Sequence, residues 1–492
     1  MPENLAQTKT PILDTLRDCA DKFHAPFYAP GHKRGQGISS ALINLLGAKV
    51  FQADLPELPE LDNLFAPEGV LLEAQNLASD AFGADKTWFL VNGSTCGIIA
   101  AILATCEPGD KLILPRNVHQ SAISGLILSG AIPIFINPEY DPEWDINYCI
   151  TPESVANALR HHPDAKAVMM VYPTYHGVCG DIVKIAEIVH QYNIPLLVDE
   201  AHGAHFNFHP DLPISGLKSG ADLTVQSIHK VLGAMTQASM LHLQHDRVNS
   251  QRVNRALQLV ESTSPSYLLL ASLDAARQQM ALNGNALMSH TLALAEKARS
   301  FLSQIPGVSV LQLSQISPGF VNLDKTRLTV KVSDLGITGF EADQILHEEL
   351  GVTAELPLLH HLTFIISLGN TEADIDNLVK AFINLEERMK KPKGGEKRDK
   401  ILGYSFVDLP LPIALTPREA FFSMGEMVSR EKAKNRISAE LICPYPPGIP
   451  ILMPGEIITP DALDYLEQVL GLGGRITGCD DPTLQTLKVV RK

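Results

Sequence analysis

The 492-residue sequence is poor in aromatic side chains (6%, with two tryptophans) and in charge (19%), and poorest in positive charge. Forty Lys and Arg stand against 55 Asp and Glu, a net charge of −15, which argues against a protein whose main task is to neutralise phosphates. Cysteine is scarce and scattered: Cys19, Cys96, Cys106, Cys149, Cys179, Cys443 and Cys479 include no CxxC pair, so neither a disulfide framework nor a cysteine-rich zinc site is encoded. The helix-borne HExxH pattern is absent, and the nucleotide loops GxxxxGK[ST] and GxGxxG are missing around the one glycine turn that could cradle a phosphate. Uninterrupted apolar runs are also lacking. The 22 residues Asn117–Pro138 carry no charge, but they contain His119, Gln120, three serines and two glycines, and Pro133 splits them. That pattern predicts a buried helix and then a strand rather than a membrane span. The polar first ten residues do not read as a signal peptide, and the expectation is a soluble, cytoplasmic protein without nucleic-acid or membrane partners.

What the sequence does have is a regular alternation. Thr87–Asn92, Lys111–Pro115, Pro133–Asn137, Ala167–Tyr172, Pro195–Asp199 and Leu223–Ser227 are short apolar runs separated by helical patterns such as Cys96–Cys106 and Ile182–Tyr192. Continuous apolarity suits strands covered on both faces, so the expected fold class is α/β with a mostly parallel central sheet. Ligands in such sheets bind at the carboxyl ends of the strands. Beyond residue 284 the pattern changes to a smaller α+β domain over 285–389, with long helices predicted at 285–305 and 374–389. Residues 390–400 read as a charged linker, and 401–492 as a C-terminal α+β unit rich in proline around Pro444–Pro454.

Three strand ends carry chemistry. Asn92-Gly93-Ser94-Thr95-Cys96-Gly97 sets hydroxyls at the start of a helix, where free backbone N–H groups suit a phosphate; a plain N-cap is the ordinary alternative. Asp199 ends an apolar strand and needs a partner, either a protonated ring nitrogen or, given His202, His205 and His209 nearby, a metal. No metal is expected. Ser227-Ile228-His229-Lys230 follows the next strand run, and a lysine desolvated there is a Schiff-base nucleophile. Phosphate cradle, strand-end Asp and strand-end Lys, in that order, together suit pyridoxal 5'-phosphate.

At these residues the sequence resembles the fold type I (aspartate aminotransferase-like) pyridoxal-phosphate enzymes, and within them the bacterial ornithine/lysine/arginine decarboxylases. The resemblance runs through Pro30–Gly35, Asp62–Pro67, Asn92–Gly97, Pro115–Ser121, Asp199–His205, Ser227–Lys230, Ser264–Asp274 and Tyr445–Glu456. It is strongest with the short biosynthetic arginine decarboxylases that lack an N-terminal wing. It implies Lys230 as the lysine bonded to the cofactor and Asp199 on the pyridine nitrogen. His119 would be stacked on the ring, His202 near the phenolic oxygen, and Ser94, Thr95, Ser227 and His229 on the phosphate. It further implies α-decarboxylation of a basic amino acid, with Lys230 or His229 returning the proton. Arginine is the first expectation, giving agmatine for polyamine synthesis, with lysine (to cadaverine) second and ornithine third. Asp62, Glu355 and Glu456 are the carboxylates that could meet the far end of such a substrate. The family works as homodimers or larger homo-oligomers, so Pro30–Arg34, Ser264–Tyr267 and Glu456 would line a neighbour's site. The rivals are a transaminase or eliminating lyase on the same scaffold, and a non-catalytic carrier of the cofactor.

Overall fold

The computed structural model describes residues 3–390, 411–445 and 448–491. The predicted linker, apart from Lys390 at the end of a helix, lies outside the described residues. Two compact units emerge, neither continuous in the chain: Met1–Ala104 with Leu197–Met288, and Thr105–Leu196 with Ser289–Lys492.

In the first unit four strands lie side by side in the order Lys86–Leu90, Ser239–Leu243, Leu223–Gln226, Leu196–Asp199. The last pair is parallel and the other two antiparallel. Three of the four therefore point their carboxyl ends to one edge, and the reversed strand Ser239–Leu243 was not predicted. It is wholly buried like its neighbours, but His242 interrupts its apolar run and shortens the signal. On the strand Lys86–Leu90 follows the helix Gly93–Thr105, whose direction is set at two glycines. Gly93 has φ +77°, open to a residue without a side chain. At Gly97 a Cβ would lie 2.7 Å from both Leu90 Cδ1 and Val225 Cγ1, so the bare backbone of the helix rests directly on the strands.

The same unit holds the start of a helix longer than predicted, Tyr267–Leu302 rather than 285–305. Gly284 sits inside it, where sequence alone suggests a break; a Cβ there would meet Phe208 Cβ at 2.9 Å, so close packing selects the glycine. The N-terminal stretch is tied to this helix by Arg277, fully buried, which donates to the carbonyls of Gln7 and Lys9 and to Asp274. Asp274 in turn accepts from Ile12 N–H at 2.9 Å.

The second unit contains three parallel strands, Ala167–Val171, Lys111–Pro115 and Ile132–Ile136, within two residues of the predicted positions at every end. The uncharged stretch resolves as expected into a helix, Gln120–Ser129, followed by the strand Ile132–Ile136. An α+β part follows: the antiparallel strands Ser309–Val310, Arg327–Lys331, His361–Ile365 and Leu356–Pro357 pack on the helices Gly339–Glu349 and Glu372–Lys390 around one apolar core. The C-terminal residues form a separate core from the ribbon Gly425–Ser429/Thr486–Val490, the ribbon Cys443–Tyr445/Arg475–Thr477 and the helix Pro460–Gly471. Among the described residues no helix is long and apolar enough to cross a membrane.

Replacing Gly97 by alanine forces a methyl into the Leu90 and Val225 side chains, and overpacking of this kind costs about 1–3 kcal/mol. Gly97→Ala is therefore expected to lower the urea midpoint, with an unchanged midpoint contradicting the close contact.

Candidate active site

Three loops leave the first unit's sheet at its common carboxyl edge, and they bring together the residues singled out in the sequence. Ser94 opens the helix Gly93–Thr105, and Ser227 follows the strand Leu223–Gln226; Ser227 Oγ donates to Ser94 Oγ at 2.8 Å. Thr95 is exposed beside them in the helix's first turn, where backbone N–H groups have no carbonyl of their own helix to bond. The turn itself is fixed from behind: Val91 N–H donates to Glu261 Oε1 at 2.9 Å, and Gln237 Nε2 donates to the Val91 carbonyl at 2.6 Å. Burial pushes the Glu261 carboxyl up to about 7, the amides that reach it acting the other way.

Asp199 closes the strand Leu196–Asp199 and is 7% exposed. Among the described residues its carboxylate has one hydrogen-bond donor, the Ala201 N–H at 3.2 Å. Burial raises its pKa, opposed by the positive charge of Lys230 and by that amide. A nearly buried carboxylate with so few donors fits a protonated ring nitrogen as its missing partner. Lys230 sits in the short helix Ile228–Val231, and its Nζ lies 2.9 Å from His202 Nε2. His229, next in chain, is held well below its usual range, at about 4, by burial and then by the Lys230 charge. It is neutral near pH 7. The donor set thus matches a phosphorylated pyridine aldehyde at three points: hydroxyls and helix amides, a carboxylate, and an amine. No group of three or more His, Cys, Asp or Glu is arranged to hold a metal among the described residues.

His119, Glu355 and Glu456 belong to the second unit. His119 caps the helix Gln120–Ser129, its Nδ1 accepting from Ser121 N–H at 3.2 Å and lying 2.9 Å from Ser121 Oγ. Glu355 is exposed and lines a cavity of about 420 Å³ with Asp374, Asn370 and Phe364. Glu456 is buried against Arg116 Nη2 at 3.1 Å and also accepts from Met453 N–H at 2.8 Å. Asp62, in the first unit, has φ +75° and is taken up by the backbone: it accepts from the amides of Asn63, Glu68, Gly69 and Leu71 at 2.7–3.2 Å. Asp62 therefore shapes the entry to the helix Val70–Phe82.

One feature at this edge was not picked out in the sequence. Glu200, beside Asp199 and fully buried, accepts from Gly216 N–H and from Gln226 Nε2, both at 2.7 Å. Gln226 Oε1 is 3.1 Å from His242 Nε2, and His242 Nδ1 is 2.8 Å from Thr87 Oγ1. With the amide nitrogen facing Glu200, His242 donates from Nε2 and accepts from Thr87, so every donor in the chain points toward the carboxylate. The chain joins the Asp199 loop to the strand that carries Ser227 and Lys230. A glutamine and a histidine inside otherwise apolar strands were the available signal.

Burial pushes Glu200 up to about 8 from an ordinary value near 4.5, the Gln226 and Gly216 bonds pulling the other way. The folded protein keeps a proton that the unfolded chain has released, so this group's contribution to stability is full below about pH 4.5 and is lost as pH rises through about 8. Glu200→Gln can be accommodated by turning over the Gln226 amide and switching the His242 tautomer. Thermal melts of the two proteins between pH 6 and 9 should diverge, wild type losing ground to the variant as pH rises. Parallel profiles would contradict the buried carboxyl's role.

Comparison with known proteins agrees with this geometry. The family model described as "Orn/Lys/Arg decarboxylase, major domain" matches residues 10–374, and that for the C-terminal domain of the same family matches 404–481. The chain is 39% identical to an arginine decarboxylase of Bacillus subtilis over 489 residues, 99% of either chain, and 40% identical to one of Bacillus anthracis over 495 residues, 99% of this chain and 98% of the other. Its fold is that of the lysine decarboxylase LdcF of Francisella novicida, with TM-score 0.85 at 22% identity, covering 98% of this chain and 81% of that one. The residues at the sheet edge and the full-length matches lead to one conclusion: the chain belongs to the Orn/Lys/Arg decarboxylase family.

Proposed function

We propose that the protein holds pyridoxal 5'-phosphate at the carboxyl edge of the first unit's sheet and decarboxylates L-arginine to agmatine and carbon dioxide, supplying polyamine synthesis. The observation that supports the cofactor is the convergence of Lys230, Asp199 and the Ser94–Ser227 hydroxyl pair on that one edge, and the family match supports decarboxylation as its reaction. The choice of arginine is supported by the relatives named arginine decarboxylase at about 40% identity over nearly the whole chain.

When bound, the cofactor's conjugated ring takes up the electron pair that carbon dioxide leaves behind on the substrate Cα. The protein's own groups do the rest. Lys230 Nζ would hold the cofactor's aldehyde carbon, and Ser94, Thr95, Ser227, His229 and the first helical amides would hold the phosphate. Asp199, nearly buried and with a single protein donor, would keep a proton on the ring nitrogen, the Lys230 charge opposing the upward shift that burial gives its carboxyl. On the family resemblance His119 would stack on the ring, and His202, 2.9 Å from the lysine amine, would steady it. Lys230 or His229, adjacent in the chain, would return the proton to Cα. Of the three carboxylates considered for the guanidinium, the oxygens of Asp62 and Glu456 already accept from this chain's own donors. Glu355 is the one still open to a substrate.

The exposed apolar residues favour a homodimer or larger assembly. The helix Ser40–Leu46 buries none of its residues, and Phe23 and Phe27 are almost entirely exposed. A face of that kind needs a partner.

The direct test is product analysis on arginine, lysine and ornithine separately. Agmatine should predominate, with no keto acid; cadaverine in excess would make lysine the substrate, and a keto acid would make the enzyme a transaminase. Lys230→Ala should lose roughly a thousandfold or more of the activity, and a variant with full activity would refute the assignment. Glu355→Gln should raise KM for arginine about tenfold with a smaller change in kcat. Light scattering should find at least a dimer, weakened by Leu45→Asp.

A further inference from the structure

The motif around Gly448–Glu456 has no part in the chemistry above, yet it is built into the second unit with care. Ile451, Leu452 and Met453 are buried, and Ile442 N–H donates to the Leu452 carbonyl at 2.9 Å while Ile451 N–H donates to the Ile442 carbonyl at 2.8 Å. This anchors the segment to the C-terminal core. Pro450 and Pro454 restrict its backbone, and Gly455 (φ +96°) passes so close to Leu415 that a Cβ would lie 2.1 Å from the Leu415 carbonyl oxygen.

Arg116 reaches into this segment from the parallel strands. Its own N–H extends the sheet, donating to the Ile136 carbonyl at 3.0 Å. Its guanidinium donates to the Pro450 carbonyl at 2.8 Å, to the Ile451 carbonyl at 3.0 Å and to Glu456 at 3.1 Å. Burial lowers the Arg116 pKa and raises that of Glu456, each partner opposing the other's shift. A buried pair of this sort contributes little net stability, because desolvating both charges offsets their attraction; what it does fix is geometry.

Three residues beyond Arg116 comes His119. Ser121 holds its Nδ1 as an acceptor, which leaves the ring proton on Nε2. On the Nε2 side runs the Gly448 backbone: Gln120 N–H donates to the Gly448 carbonyl at 3.2 Å, and a Cβ on Gly448 would lie 3.5 Å from His119 Nε2. Gly448 also has φ +84°, a conformation that a side chain would strain. The imidazole is thus bracketed by its own helix on one side and by the C-terminal segment on the other.

We propose that the segment Gly448–Glu456 positions His119 from within the same chain, with the Arg116–Glu456 pair as the clamp and the Gly448 backbone as the stop. Arg116, Glu456 and Gly448 are positioning residues, and the proposal rests on His119 being the group that stacks on the cofactor. It gives the C-terminal domain a task in cofactor binding, and it reassigns Glu456 from substrate contact to support of the ring.

The experiment compares His119→Ala, Gly448→Ala and the double variant Arg116→Met/Glu456→Leu, which removes the clamp without stranding a buried charge. Each apoprotein is titrated with pyridoxal 5'-phosphate, the visible circular dichroism of the bound cofactor is recorded, and thermal melts of the apoproteins are taken. The double variant should melt within a few degrees of wild type, bind the cofactor roughly tenfold or more weakly, and show a dichroic band displaced toward that of His119→Ala. Gly448→Ala should move both readouts in the same direction by less. Wild-type affinity and band in both support variants, alongside a changed His119→Ala, would overturn the positioning role alone. If His119→Ala itself leaves affinity and band unchanged, the stacking assignment fails and the positioning role falls with it. Should the double variant fail to fold, Gly448→Ala decides between these outcomes.

Discussion

The helix Gly93–Thr105 can lie where it does only because residue 97 has no side chain. At that point the helix backbone rests on Leu90 and Val225, from two different strands of the first unit's sheet. Because the helix starts only four residues earlier, this one contact determines where its first turn falls, and so where the Ser94 hydroxyl meets Ser227. Everything at the sheet edge is measured from that turn. Asp199 and Lys230 leave neighbouring strands whose parallel register is set by backbone bonds between Leu196–Asp199 and Leu223–Gln226, and the Glu200–Gln226 bond repeats that constraint with side chains.

The chemistry follows from how little water this edge admits. Burial is the largest cause that drives Asp199, Glu200 and Glu261 upward and His229 and His242 downward, toward their neutral forms, with the Lys230 charge adding to it at His229. Glu200 and Glu261 are satisfied within the protein by amides and a side-chain carboxamide. Asp199 has one amide and a nearby lysine, so it is the group poised for an outside partner. The contrast among three carboxyl groups at one edge separates structural acids from the functional one.

Much of this was legible in the sequence. Of the four strands described in the first unit's sheet and the three parallel strands of the second unit, all but one were visible as apolar runs, and the Asp, Lys and hydroxyl residues at the ends of the first unit's strands were visible because polar side chains directly after buried strands need a reason to be there. The strand Ser239–Leu243 was missed because His242 broke its pattern, and the first half of the helix Tyr267–Leu302 because Gly284 looked like an interruption; tertiary contacts with Gln226 and Phe208 explain both. The role of Asp62 as a loop organiser was not legible either, since four amide donors from residues 63–71 converge on it only after the loop has folded. His119 reads as a core residue from local pattern alone and drew attention only through the family resemblance. The Arg116–Glu456 pair spans 340 residues of sequence, a separation no local pattern encodes.

The central claim is that Lys230 is the residue that holds the cofactor. Reducing the cofactor-loaded protein with borohydride, digesting it and mapping the peptides by mass spectrometry tests this without reference to any substrate. The account predicts the phosphopyridoxyl mass on the peptide containing Lys230 and on no other. Its appearance on a different lysine, or its absence from a protein that has bound the cofactor, would contradict the account.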